Sequence, residues 1–159
     1  MPETPTISLA SAPTDVEAVR DLFRQYASAL PVDLGYQDFQ DELANLPGKY
    51  GPPRGVLMIA RTDGGGALGC VGVRPLDAQG VCEMKRLFIL PESRGGGLGR
   101  RLAEAAIRRA ASLGYQEMWL DTLATMASAI ALYEELGFRR RAPYYEPTPP
   151  GTIFMERRL

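Results

Sequence analysis

Hydrophobic positions along the chain follow two rhythms. In "TDVEAVRDLFRQYASAL", from Thr14 to Leu30, the apolar residues Val16, Val19, Leu22, Phe23 and Tyr26 recur at helical spacing. Thr14 followed three residues later by Glu17 is a capping-box signature for its start. "TISLA" before it reads as a short strand, and "YQDFQDELANL" after it as a second, weaker helix ended by Pro47-Gly48. The rhythm then changes. "VLMIAR", "ALGCVGVR" and "VCEMKRLFI" are strand-like runs parted by the turns "TDGGG" and "PLDAQG", a spacing that predicts an antiparallel meander. A helix from about Leu98 to Leu113 follows, then the strand "YQEMWLDTL", the helix "ASAIALYEEL" stopped by Gly137, and two terminal strands around "FRRRAPYY" and "TIFMERRL". The order predicts a mixed α/β (α+β) class with helices covering a largely antiparallel sheet. Residues 6–159 read as a single domain behind a flexible Pro-rich tail at 1–5.

Composition narrows the classes. The 159 residues are 45% hydrophobic, which suits one globular domain with a substantial core. No apolar run approaches a membrane span, and "MPETPTISLA" lacks the basic and apolar regions of a signal peptide, so a cytoplasmic location and no membrane partner are expected. A formal net charge of −1 gives no general drive toward nucleic acid. The basic clusters "RRLAEAAIRR" and "FRRR" read as solvated faces. With no His and only Cys70 and Cys82, neither a zinc site nor a His-dependent nucleophile triad can be built, and no metal is expected. Both cysteines sit in β-like apolar runs and read as buried, inert thiols.

The chemistry concentrates in "PESRGGGLGR", Pro91 to Arg100, between the strand "LFIL" and the helix that follows. Leu98, Leu102, Ala103, Ala106, Ile107, Ala110 and Leu113 fall on one half of that helix, and Arg100, Arg101, Glu104 and Arg108 on the other. Packed on a sheet, the helix would aim its first N–H groups and the positive end of its dipole at the glycine loop, a setting for phosphate. The P-loop spacing is absent. The dinucleotide fingerprint fails at Arg100 and Leu102, and the preceding sheet looks antiparallel. Arg94-x-x-Gly97-x-Gly99 remains.

Here the sequence resembles the GCN5-related N-acetyltransferase (GNAT) superfamily. Its pyrophosphate loop, [QR]-x-x-G-x-[GA], matches Arg94 to Gly99; "CEMKRLFILPE" resembles its fourth strand, and "AIALYEELGF" its closing helix and next strand. These motifs span about Cys82 to Phe138, and the order of elements agrees over nearly the whole chain. The resemblance implies a mostly antiparallel mixed sheet of about six or seven strands, flanked by about four helices and splayed between strands four and five. It implies acetyl-CoA as cosubstrate, its pyrophosphate cradled by backbone N–H groups of Arg94, Gly95, Gly96, Gly97, Leu98, Gly99 and Arg100. Its pantetheine would pair with the strand edge at Leu87, Phe88 and Ile89.

The resemblance also assigns candidate roles. Tyr133 matches the family's general acid facing the CoA sulfur; a core aromatic on an amphipathic helix is the alternative. Glu83 stands where some relatives carry a general base; alternatively it pairs with Lys85 on the same strand face. Many members open the closing helix with an Asn near the position of Met126, and here Ser128 is the candidate for that cofactor contact. Gln37, Phe39, Arg86, Asp121, Tyr144 and Tyr145 are candidates for binding the acceptor. The implied activity is direct acetyl transfer to an amine, most simply that of a small molecule. A peptide or protein amine, or a catalytically silent acyl-CoA sensor, are the alternatives, and a homodimer is compatible with the sequence. An RNA-directed activity is disfavoured by the charge.

Overall fold

The structure is a computed structural model and describes residues 4–159. The expected tail at 1–5 lies partly outside the described residues; Pro5 within them accepts a hydrogen bond from Arg101 Nη2 at 2.9 Å. The strands are β1 (Thr6–Leu9), β2 (Val56–Arg61), β3 (Ala67–Pro75), β4 (Val81–Ile89), β5 (Glu117–Leu123), β6 (Arg139–Arg141) and β7 (Thr152–Arg158). The helices are α1 (Pro13–Ala29), α2 (Phe39–Ala44), α3 (Leu98–Ser112) and α4 (Ala127–Glu135). The strands form one sheet in the order β1-β2-β3-β4-β5-β7-β6. All pairs are antiparallel except β4 with β5.

Both sheet faces are covered, which explains why β2 is buried almost throughout despite alternating sides. Val56, Met58 and Ala60 join the core beneath α3, with Leu102, Ala106 and Ala110. Leu57 and Ile59 join a second core beneath α1 and α2, with Val19, Leu22, Phe23 and Phe39. No helix among the described residues is long and apolar enough to cross a membrane.

Two features of β4 position the site. It pairs with β5 only over Val81–Glu83 against Glu117–Trp119, and beyond that the strands part. It also carries a bulge. Gly72 faces Lys85 and Cys70 faces Phe88, so β4 spends three residues where β3 spends two. Arg86 takes up the extra residue at φ 61°, a left-handed value unusual outside glycine. Phase is thereby shifted: Met84 and Ile89 belong to the α3 core and Phe88 to the α1 core.

Three local expectations need correction. The capping box at Thr14 and Glu17 does not form, because Pro13 takes the first helical position and Ala12 caps without a side-chain bond. The second helix is broken: a 3₁₀ turn, Leu34–Gln37, is parted from α2 by Asp38 at φ 56°. Leu113 lies past the end of α3 and is 37% exposed.

Candidate active site

The glycine loop leaves its strand through a 3₁₀ turn at Pro91–Ser93 and enters α3 at Gly97. Gly95 and Gly97 adopt φ of 91° and 81°, where a Cβ would be strained. A Cβ at Gly95, Gly96 or Gly97 would meet no atom of the described residues within 4 Å beyond its own chain neighbours. Among the described residues no side chain caps α3, which leaves its first N–H groups without a side-chain partner. Leu98 is buried and anchors the helix, whereas Arg100 turns its guanidinium to Glu135 of α4. Arg94 reaches back: its Nε donates to the Ile89 carbonyl at 3.0 Å, with the guanidinium 5.7 Å from the Phe88 ring centre.

Where β4 and β5 part, a cavity of about 70 Å³ opens, lined by Tyr26, Lys85, Leu87, Asp121, Met126 and Tyr133 among others. Tyr133 is 9% exposed and packs edge-on against Phe138, so the ring is both a core aromatic and a cavity wall. Burial, reinforced by Tyr26 and Asp121, pushes its phenol above the ordinary tyrosine value. Met126 precedes α4 and its sulfur accepts from the Thr122 hydroxyl at 3.7 Å. Ser128 is exposed and is not among the residues lining the cavity.

Next to this cavity lies a larger cleft, about 700 Å³, whose walls include Glu42, Tyr50, Arg74, Glu83, Trp119 and Tyr144. Tyr36 and Gln37 line both spaces and stand between them. The Tyr50 hydroxyl and the Trp119 indole N–H are buried in this wall without a hydrogen-bond partner among the described residues.

Between the two spaces runs a ring of paired side chains. The sequence-based pairing of Glu83 with Lys85 is secondary, at 3.9 Å. Glu83 Oε1 accepts from Arg74 Nε at 2.8 Å and Oε2 from the Tyr144 hydroxyl. Arg86 binds Glu42 through Nε (2.9 Å) and Nη2 (3.1 Å), and donates from Nη1 to Gln37 Oε1 at 2.7 Å. The Gln37 amide lies 3.0 Å from Asp121 Oδ2, 2.8 Å from the Tyr145 oxygen and 3.1 Å from that of Tyr36. Two amide hydrogens serve three oxygens, so one contact is not a Gln37 donation. Lys85 Nζ closes the ring on Asp121 Oδ1 at 3.3 Å, and the Tyr145 hydroxyl donates to Asp121 Oδ2.

Three basic side chains, Arg74, Lys85 and Arg86, therefore face three carboxylates, Glu42, Glu83 and Asp121. Burial works against the Arg86 charge, yet Glu42 and Tyr50 outweigh it and hold the guanidinium above its usual value. Burial raises Tyr144, and Glu83 beside it adds to the rise; burial and then Asp121 do the same for Tyr145.

Of the acceptor-side candidates, Gln37, Arg86, Asp121, Tyr144 and Tyr145 are thus brought together. Phe39 is not: it is 4% exposed, packed in the α1 core, its ring centre 5.1 Å below the Arg86 guanidinium. Glu42 and Arg74 were missed. Their signal is only charge on a short helix and a strand end, which cannot name a partner 44 or 9 residues away.

Comparison with known proteins places the chain. Residues 16–138 match the Acetyltransferase (GNAT) family. An uncharacterised N-acetyltransferase of Schizosaccharomyces pombe is 43% identical over 97% of this chain and 94% of its own length. The ribosomal-protein-S18-alanine N-acetyltransferase of Escherichia coli superposes with a TM-score of 0.70 at 26% identity, covering 98% of this chain and 94% of its own. A phosphinothricin acetyltransferase of Sinorhizobium meliloti, solved in complex with AcCoA, shares the fold: TM-score 0.72, 19% identity, 98% of this chain and 89% of its own.

Proposed function

The chain belongs to the GNAT acetyltransferase family and is an N-acetyltransferase; from that premise we propose that it moves an acetyl group from acetyl-CoA directly to the amine of a small molecule. The observation that carries this reading is the gap itself: an unobstructed glycine cradle leads to a split between β4 and β5 into which Tyr133 faces. Backbone N–H groups of residues 95–100 would hold the pyrophosphate, and the β4 edge near Leu87 would take the pantetheine. Bound there, acetyl-CoA supplies the activated thioester.

Tyr133 stays protonated at neutral pH and donates its hydroxyl proton to the departing sulfur. The acceptor enters through the larger cleft, whose walls include Trp119 and Tyr144. Direct transfer, without an acyl-cysteine, is supported by the thiols. Cys70 and Cys82 are buried away from the cavity, and burial pushes Cys82 up to about 12.

Thiol release from acetyl-CoA across amino acids, polyamines, aminoglycosides and N-terminal peptides tests the proposal. Release with a small amine is expected. Release with peptides alone would assign a protein amine instead, and cofactor binding without release would make the domain a sensor.

A further inference from the structure

Glu83 occupies the position of a base but is poorly placed to act as one. Both of its oxygens are engaged, one with Arg74 and one with Tyr144, and a proton could reach it only by breaking a charge-assisted bond. It lines the acceptor cleft and not the cavity that holds Tyr133. Lys85 does line that cavity, with Asp121 and Tyr133.

The choice of residue is telling in this chain. Of its 18 basic side chains only Lys49 and Lys85 are lysines; all others are arginine. Lys49 is exposed, and Lys85 is 4% exposed at the point where the strands part. Its neighbours, half-buried Arg74 and buried Arg86, keep their charge at any accessible pH, while a lysine can lose it. Among the described residues Nζ has a single hydrogen-bond partner, Asp121 Oδ1, although an ammonium carries three hydrogens.

Resting on the acetyltransferase reading above, we propose that Lys85, and not Glu83, takes the proton from the acceptor's ammonium group. Neutral Lys85 accepts one proton as the acceptor's N–H bond breaks, and the freed nitrogen pair attacks the acyl carbon. The C–S bond then breaks with its electron pair on sulfur, which takes the Tyr133 proton. The second proton lost by the acceptor nitrogen restores Tyr133, and Lys85 returns its proton to solvent. The carboxylates of Asp121 and Glu83 stabilise the ammonium formed on Lys85.

The groups facing Lys85 have opposing effects. Burial lowers its pKa; Glu83 on β4 and Asp121 on β5 raise it; Arg86 on β4 and Arg74 on β3 lower it, and the net direction is down. The phenols of Tyr26 from α1, Tyr36 from the 3₁₀ turn and Tyr133 from α4 share the cavity and stay neutral, burial having raised all three.

With two lysines, ¹³C-lysine labelling of the intact protein yields two titrating signals, assigned by Lys85→Arg. The Lys85 signal is expected to titrate below that of exposed Lys49. Turnover, measured with whichever panel amine supports thiol release, should rise with pH through the Lys85 midpoint. Lys85→Arg keeps a cation beside Asp121 but cannot deprotonate; it should bind acetyl-CoA as before and lose turnover by about 10²–10⁴-fold. A Lys85 midpoint at or above that of Lys49, or a Lys85→Arg enzyme as active as the wild type, overturns the assignment of the base alone. Wild-type protein that releases no thiol with any amine overturns the acetyltransferase reading and this inference with it.

Discussion

Residues 95–100 leave a strand-to-helix turn nearly bare, with helix N–H groups uncapped and space above three glycines. Further back along β4, the ring from Arg74 to Tyr145 pairs most of its polar atoms with other side chains. In the proposed function, the first region would meet its ligand with backbone. The second already pairs three basic side chains with three carboxylates and is held together by those contacts. A backbone site is written in consecutive residues and costs little to leave empty; a side-chain site must satisfy its buried charges among themselves.

Removing the Tyr133 hydroxyl separates chemistry from packing most sharply. Tyr133→Phe keeps the ring against Phe138 and should lower kcat by about 10²–10⁴-fold. Melting temperature and acetyl-CoA affinity should stay near wild type; a large loss of stability would reduce Tyr133 to a core aromatic.

In the ring, the cost falls on folding. Glu83→Ala strands Arg74 beside a fully buried site and should destabilise by about 3–5 kcal/mol. Thermal denaturation would then show a midpoint lowered by roughly 6–20 °C. An unchanged midpoint would mean that the ring does not hold the sheet to the acceptor loops.

The loop should behave in the opposite way. Gly96 has open space and no left-handed φ, so Gly96→Val leaves the free protein nearly as stable while its branched side chain fills the cradle. Acetyl-CoA affinity by titration calorimetry should fall about tenfold or more, equivalent to ~1.4 kcal/mol. Unaltered affinity in the folded variant would remove the loop from the cofactor site.

The smallest effect is in alkali. All seven tyrosines have folded-state pKa values raised first by burial. A raised folded value contributes stability that is full below the unfolded pKa of about 10 and is lost as pH climbs toward the folded value. Urea midpoints should therefore hold up to about pH 10 and decline above it. A midpoint that stays flat to higher pH would show that these phenols titrate as exposed ones do.

Much of this molecule is legible in one dimension. The meander β2–β3–β4, helix α3 and the open loop before it follow from apolar period, turn residues and glycine, because each depends on neighbours within a few residues. The short capping error at Thr14 arose because Pro13 competes for the same helix start. The broken second helix has a similar local cause: Asp33 accepts from the Gly35 N–H and caps a separate turn, and Asp38 turns left-handed.

What the chain order could not reveal is which charges meet. Glu83 and Lys85 share a strand face by period, yet the stronger partner of Glu83 is Arg74, brought alongside by the β3–β4 pairing. The bulge at Arg86 is invisible in composition, and it turns Arg86 toward Glu42 and Gln37 on a segment more than 40 residues earlier. Periodicity fixes faces because backbone geometry repeats every two or 3.6 residues. The pairing of buried charges depends on where strands part and loops return, so it was decided only when the sheet closed around them.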